Sequence, residues 1–161
     1  PRSNALCNAG IAPVADMLKN GIKVGLGTDN GEGNFYENMR YLVLMQMGKN
    51  YSKHALTPLQ GFQIATEGGA FGLGYTDVGC LKEGYSADFQ ILTGNAAIQL
   101  TEKNVVAEVF WRKDPKDIKK VYVNGNLICQ DGHSVNLDDE RIRKDFSECV
   151  REFWKGQPYQ D

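Results

Sequence analysis

The spacing of apolar residues predicts a first half in which a helix leads into a short buried strand. Residues 11–22 place apolar side chains three and four positions apart, the spacing of one helix face. These side chains are Val14, Met17, Leu18 and Ile22. The run 24–26 that follows is too short for a helix and apolar on both faces, as strands of a parallel sheet are. This order is typical of α/β proteins.

Two more helices are predicted before residue 75. Residues 35–48 show a second helical stripe, formed by Phe35, Met39, Leu42 and Val43. Thr57 and Pro58 have the residue types of an N-cap and a first helical position. In the short helix that they begin, four side chains are expected to pack inward: Leu59, Phe62, Ile64 and Ala65. The pair Gly68-Gly69 then permits a close contact or a bend.

The pattern changes to short extended segments near Gly79. Residues 89–92 read as a strand, and residues 104–115 alternate imperfectly and are assigned to the same β layer. Asn124-Gly125 between two apolar triplets predicts a two-residue hairpin turn. Residues 138–155 form an amphipathic helix that is expected to end at Lys155 and Gly156, with one apolar face: Ile142, Phe146, Val150 and Phe153.

Composition and charge exclude several classes of function. The 161 residues are too few for a complete eight-fold α/β barrel, which needs roughly 200 residues or more. The 18 basic side chains are dispersed among 20 acidic ones, a balance that argues against nucleic-acid binding. No apolar run is long enough to span a membrane, so we expect a cytoplasmic protein. The four cysteines form no C-x-x-C pair and are expected to be reduced and mostly buried.

Asp29 is the residue with the clearest chemical potential. It follows the predicted strand 24–26 and precedes a loop rich in glycine and asparagine. Catalytic groups of α/β barrels lie at such strand ends, where a carboxylate can bind a divalent metal or accept a proton. An aspartate in this position can equally cap a helix or stabilise a turn, and its own chemistry leaves both interpretations open.

Four ordered segments resemble the C-terminal part of the metal-dependent amidohydrolase superfamily. They are "PRSN" at 1–4, "GIAPVADMLKNGIKVGLGTD" at 10–29, "ATEGGAFGLG" at 65–74 and "VGCLKEGYSADFQIL" at 78–92. The likeness extends over about residues 1–130 and is strongest to the aminohydrolase and chlorohydrolase branch, which includes guanine deaminase, adenosylhomocysteine deaminase and the triazine hydrolases.

The resemblance implies a fold and an arrangement of segments. It implies an α/β fold made of the C-terminal part of a (β/α)8 TIM-type barrel, strands of a small β-sandwich and a C-terminal helix. Residues 1–78 would supply the last βα units of the barrel, 79–134 the β-sandwich strands with their hairpin, and 135–161 the amphipathic helix.

The resemblance also implies roles for individual residues. Asp29 matches the aspartate that binds the catalytic metal and acts as general base, and Gly27-Thr28 match the strand end that aims it. Ser3 and Asn4 match a pair near the substrate pocket. Three further residues match a "G-x-x-AD" signature whose aspartate is structural: Gly84, Ala87 and Asp88.

The implied activity is hydrolytic removal of an amino group, or of chloride, from a nitrogen heterocycle such as a purine or triazine. This makes the chain part of a hydrolase of C–N bonds other than peptide bonds, with a divalent metal, zinc or alternatively iron, as cofactor. Asp29 is the one implied metal ligand in this chain, because His54 and His133 stand at no strand end and are expected to be exposed. The other ligands are absent from this chain.

Two hypotheses therefore remain. The chain is either the C-terminal portion of such an enzyme, completed by a missing N-terminal barrel portion, or a non-catalytic truncated homologue that associates with itself. H-x-E with P-C-x-x-C, the signature of the base-flipping zinc deaminases, does not occur, and neither does a phosphate-binding Gly-Lys-Ser/Thr loop.

Overall fold

The structure, a computed structural model, describes residues 1–29, 33–94 and 96–155. Helices come first, in the order α1 (Arg2–Leu6), α2 (Val14–Lys19), α3 (Phe35–Lys49), α4 (Pro58–Gln63) and α5 (Gly69–Gly72), with a π-helical turn at Ile64–Gly68 between α4 and α5. The second half contains β1 (Phe89–Leu92), α6 (Val105–Arg112), a 3-10 turn (Pro115–Asp117), β2 (Ile118–Val123), β3 (Asn126–Gln130), β4 (His133–Ser134) and α7 (Asp139–Trp154).

The hydrophobic core lies around α3. Its predicted stripe is confirmed, since Met39, Leu42 and Val43 are buried together. The start of α4 is also confirmed: Thr57 Oγ1 accepts a hydrogen bond from the Gln60 backbone N–H at 3.2 Å, and Gln60 Oε1 accepts one from the Thr57 N–H at 2.9 Å. Such a reciprocal pair satisfies two backbone donors that the helix itself cannot.

One inward-facing residue of α4 was predicted wrongly. Leu59 is 51% exposed, whereas Ile64 is buried and Phe62 and Ala65 are partly buried against the core. Leu59 lies in the first turn of α4, whereas Phe62, Ile64 and Ala65 follow later, at the end of α4 and in the π-helical turn.

The predicted strand at 24–26 does not form as a regular strand. A strand requires hydrogen-bonded neighbours, and in the described ranges the only sheet is antiparallel and lies in the second half of the chain. The segment runs instead against the π-helical turn. A Cβ placed on Gly68 would collide with the carbonyl oxygen of Val24, and one placed on Gly25 would lie 3.0 Å from the carbonyl oxygen of Gly68. Gly68 therefore serves a close backbone contact, one of the two roles that the sequence leaves open for the pair Gly68-Gly69.

The second half contains one antiparallel sheet with strand order β1-β2-β3-β4. The predicted hairpin is confirmed, because Asn124 and Gly125 connect β2 to β3 with positive φ values of 49° and 74°. Asp88 stabilises this turn: its Oδ1 accepts hydrogen bonds from the Asn124 N–H at 2.5 Å and the Ser86 hydroxyl at 3.1 Å. These contacts give the signature aspartate a structural position.

Residues 105–112 form helix α6, so the assignment of this segment to the β layer is wrong. The segment buries Phe110 completely in the core beside Val43 and Leu56. Apolar residues at 105, 106, 109 and 110 are also spaced three and four apart, which fits one helix face packed on α3 and α4. A division of the chain after residue 78 remains a prediction.

Helix α7 begins where the sequence predicts, with the Asp138 side chain accepting from the Arg141 N–H at 3.0 Å. All of its residues are at least partly exposed, including Phe146 and Phe153. Its predicted end at Gly156, the loop at 30–32 and the turn residue Asn95 lie outside the described residues.

The expectation of mostly buried thiols is wrong. Three cysteines are exposed, namely Cys7, Cys80 and Cys149, and Cys129 is half-buried. Two of the exposed ones, Cys7 and Cys80, lie outside the helices and strands, where no apolar face covers them. Within the described ranges no helix is long and apolar enough to cross a membrane.

Candidate functional site

The residues that the sequence singled out converge on one cavity. Ser3, Asn4, Gly27 and Asp29 all line a cavity of about 430 Å³. Much of the remaining lining is apolar, contributed by side chains that include Val14, Met17, Leu26 and Leu42. A cavity of this size, mostly apolar with a few convergent polar groups, is typical of small-molecule sites.

Ser3 and Asp29 are in direct contact. The Ser3 hydroxyl donates a hydrogen bond to Asp29 Oδ2 at 3.1 Å, although the two residues are 26 positions apart in the chain. Ser3 is buried on α1, whereas Asp29 is exposed. This bond occupies one carboxylate oxygen and leaves Oδ1 as the principal acceptor for another proton donor.

Asp29 has a backbone conformation that few residue types tolerate. Its φ is 51°, in the left-handed region. Aspartate enters this region more readily than most residues, because its short polar side chain can bond locally. Non-glycine residues in this region often cluster at functional sites.

Asn38 links the two segments that carry Ser3 and Asp29. Its Nδ2 donates to the carbonyl oxygen of Gly27 at 2.8 Å, and its Oδ1 accepts from the Arg2 backbone N–H at 3.3 Å. Asn38 is 3% exposed, and it is not among the residues predicted from the sequence. A signal was available, since a polar residue interrupts the buried stripe of α3 one turn before Leu42.

Helix α3 is itself held by polar contacts to α2 and to the segment that follows α6. Gln46 Nε2 donates to the Ala12 carbonyl at 2.9 Å, and Gln46 Oε1 accepts from the Ala15 N–H at 3.1 Å, which fixes α2 beside α3. The Arg40 guanidinium donates to Asp114 Oδ1 at 2.7 Å and to the Lys113 carbonyl at 2.6 Å.

The Tyr36 hydroxyl connects α3 to the sheet by donating to Gln90 Oε1 at 2.8 Å. Burial, together with the nearby charge of Asp117, raises the pKa of Tyr36, so the phenol keeps the proton that this bond requires. Asp117 in turn accepts a hydrogen bond from the Asp114 N–H at 2.9 Å, and this bond lowers the pKa of Asp117.

The described residues do not fit a complete zinc site. Zinc needs three or four ligands, and in the part of the chain that the structure describes no three side chains of His, Cys, Asp or Glu converge. As expected, His54 is exposed, and the His133 side chain is 74% exposed. Neither lines the cavity. Asp29 could supply one ligand, and no reaction step through a metal follows from this chain alone.

Comparison with known proteins gives curated relatives over most of the chain. A protein named 5-methylthioadenosine/S-adenosylhomocysteine deaminase from Shouchella clausii is 36% identical over 155 residues, which is 94% of this chain and 36% of that protein. A 5'-deoxyadenosine deaminase from Methanopyrus kandleri is 27% identical over 94% of the chain. The chain thus spans about 36% of the length of these two relatives.

Solved structures share the fold. An adenosine deaminase from Xanthomonas campestris with bound zinc superposes with a TM-score of 0.88 at 18% identity, over 96% of this chain and 36% of that one. The zinc complex of atrazine chlorohydrolase from Arthrobacter aurescens gives 0.76 at 23% identity, over 91% and 34%. At these identities the likeness shows a shared mixed helix and sheet fold.

The sequence profile of the amidohydrolase family matches residues 1–128, which is most of the chain. The resemblance inferred from the four sequence segments is therefore confirmed. This chain belongs to the amidohydrolase family.

Proposed function

We propose that this chain is the C-terminal part of a metal-dependent amidohydrolase that hydrolytically deaminates a nitrogen heterocycle such as a purine. The observation that carries the proposal is the Ser3–Asp29 hydrogen bond at the wall of an apolar cavity. Relatives named as deaminases of adenine nucleosides support the reaction class. In this proposal residues 1–78 are the last βα units of the barrel.

Asp29 acts as the proton acceptor for the attacking water. Its carboxylate takes a proton from the water as the new C–O bond forms at the ring carbon. The proton then passes to the departing nitrogen, so that the C–N bond breaks and ammonia leaves. General base catalysis by a positioned carboxylate contributes typically 10²–10⁴-fold to such a rate.

Ser3 orients the carboxylate by holding Oδ2. Fixing one oxygen reduces rotation of the carboxylate and keeps Oδ1 available for the water. Asn4, on the same helix, lines the cavity and is proposed to contact the substrate. The apolar lining would pack against the faces of a heterocyclic ring and exclude water from it.

Metal binding is proposed for the complete enzyme only. Two of the solved relatives are described with zinc, and Asp29 would be one ligand of such an ion. The remaining ligands must come from residues beyond those described here, because zinc requires several convergent side chains.

Asp29→Asn in the complete enzyme tests the proposal. The amide keeps the shape of the carboxylate but cannot accept the proton, so kcat should fall by about 10²–10⁴-fold while the circular dichroism spectrum stays unchanged. Asp145→Asn is the matched control, because this carboxylate lies exposed on α7. Retention of full activity by Asp29→Asn would refute the proposed role.

A non-catalytic, self-associating chain is the second candidate. It is favoured by the apolar face of α7, where Ile142 is 48%, Phe146 68% and Phe153 67% exposed. An uncovered face of this kind is typical of an interaction surface. Sedimentation velocity of the chain with and without Phe146→Glu distinguishes the candidates: a dimer that the substitution dissociates supports self-association, and a monomer refutes it.

A further inference from the structure

We propose that Asn38 is a positioning residue that fixes the relative position of Ser3 and Asp29. This inference rests on the proposed function of that pair. Among the described residues, the Asn38 side chain forms its hydrogen bonds with backbone groups and with neither of these two side chains. It acts through the two backbone segments that carry them, because Gly27 is two residues before Asp29 and Arg2 directly precedes Ser3.

The geometry makes Asn38 a two-sided clamp. A carboxamide has a donor and an acceptor on one rigid plane, and here the donor bonds the Gly27 carbonyl while the acceptor bonds the Arg2 N–H. The relative placement of these two backbone groups is therefore tied to one side chain. Replacing it by an apolar residue would remove both of these partly buried hydrogen bonds at once.

The burial of Asn38 explains why its side chain can fix the distance between the segments that carry Ser3 and Asp29. Asn38 is almost fully buried on a fifteen-residue helix, and the next turn of that helix is packed through Leu42 and Val43. A side chain on a rigid, packed element positions its partners more narrowly than one on a loop. Ser3 and Asp29 lie on a five-residue helix and an irregular segment rather than on a long packed helix.

A second polar clamp on the same helix provides the comparison. Tyr36 also forms a hydrogen bond from α3 to a distant segment, but its partner is Gln90 on β1 rather than a segment that carries Ser3 or Asp29. Tyr36→Phe removes one partly buried hydrogen bond, 2.8 Å long like the bond from Asn38 to Gly27, and leaves the Asn38 contacts in place. A general loosening of α3 would affect both variants alike, whereas positioning would affect Asn38 alone.

Steady-state kinetics of the complete enzyme test the inference, using Asn38→Ala and the control Tyr36→Phe. We expect Asn38→Ala to lower kcat by about 10- to 100-fold with KM changed less than about 3-fold, because misplacement of a catalytic group by about 1 Å can cost 10²-fold. Tyr36→Phe should change kcat less than about 3-fold. Equal losses in the two variants would overturn the inference.

A double-mutant cycle with Ser3→Ala separates positioning from stability. If Asn38 acts through the Ser3–Asp29 bond, the combined loss in kcat will be smaller than the product of the single losses by at least about threefold, since coupled residues are not additive. Strict multiplication of the two losses would contradict the inference. Asn38→Asp replaces Asn38→Ala if the latter fails to fold, because it keeps the acceptor for Arg2 and loses the donor to Gly27.

Hydrogen exchange measured by mass spectrometry gives a readout that needs no turnover. In Asn38→Ala, a peptide covering residues 1–9, in which the Ala5, Cys7 and Ala9 N–H groups donate to backbone carbonyls, should exchange at least about tenfold faster, and in Tyr36→Phe it should not change. If the unsubstituted enzyme has no deaminase activity but exchange is faster in Asn38→Ala alone, the proposed function is refuted and the positioning role of Asn38 is supported. Unchanged exchange in Asn38→Ala would overturn the clamp whatever the activity.

Discussion

Gly68→Ala tests the close contact between Gly68 and the Val24 carbonyl, which positions the segment leading to Asp29. A Cβ on Gly68 would collide with the Val24 carbonyl oxygen and lie 3.2 Å from its carbon. Both atoms belong to the backbone and cannot rotate away, so either the π-helical turn or the segment must move. Neighbouring Gly69 is the matched control, because a Cβ there meets nothing within 4 Å and its φ is −63°.

The two alanine substitutions should therefore have opposite signs. Overpacking costs about 1–3 kcal/mol, and the better helix propensity of alanine offsets up to about 1 kcal/mol of it. Gly69→Ala has only the favourable term, about 0.5–1 kcal/mol. We expect Gly68→Ala to be less stable than Gly69→Ala by about 1–3 kcal/mol, or roughly 3–10 °C in Tm for a chain of this size.

Urea unfolding followed by far-ultraviolet circular dichroism measures the difference between the variants. Both proteins should unfold with the same slope, so that the midpoints report stability directly. If Gly68→Ala proves as stable as Gly69→Ala, the close approach of Gly68 to Val24 is not a feature of the folded protein. The position of the segment leading to Asp29 would then need another explanation.

Three further substitutions test the packing of the core, the hairpin turn and the loss of stability at low pH. Phe110→Ala should lower the free energy of unfolding by about 3–5 kcal/mol in urea titrations, because a fully buried ring leaves a cavity; a loss below about 1 kcal/mol would contradict the placement of α6. Asp88→Ala removes the acceptor for the Asn124 N–H and should cost about 0.5–1.5 kcal/mol in the same assay, because the bond is exposed to water; an unchanged midpoint would contradict a structural role for Asp88. The folded-state pKa of Asp117 lies below its unfolded value, so its contribution is present above about pH 4 and is lost as the pH falls through the folded pKa. Asp117→Asn should therefore reduce the acid dependence of Tm below about pH 4, and an identical acid profile in both proteins would exclude this contribution.

Local patterns predicted the elements that depend on neighbouring residues. The capping box at Thr57, the Asn124-Gly125 turn and the start of α7 all involve groups within three residues of one another. Their geometry is determined by side-chain type and backbone preference, which the sequence displays directly. The prediction of β structure at 105–112 failed because imperfect alternation and helical spacing coexist there, and contact with α3 and α4 decides between them.

The site was predicted only in part, for a similar reason. Ser3, Asn4 and Asp29 were identified through ordered resemblance, and the structure places all three at one cavity. Their functional roles remain predictions. Asn38 was missed because its importance lies in two backbone groups at 11 and 36 residues' distance along the chain, which no local pattern reveals.

The sequence by itself determined the family, the helical stripe of α3, the hairpin and the candidate aspartate, because these follow from residue types at short or ordered spacing. Only the tertiary structure decided that Ser3 bonds Asp29, that Asn38 ties their segments together and that Gly68 meets Val24. Such contacts arise between groups far apart in the chain, and their formation depends on how whole elements pack rather than on the preference of any one residue.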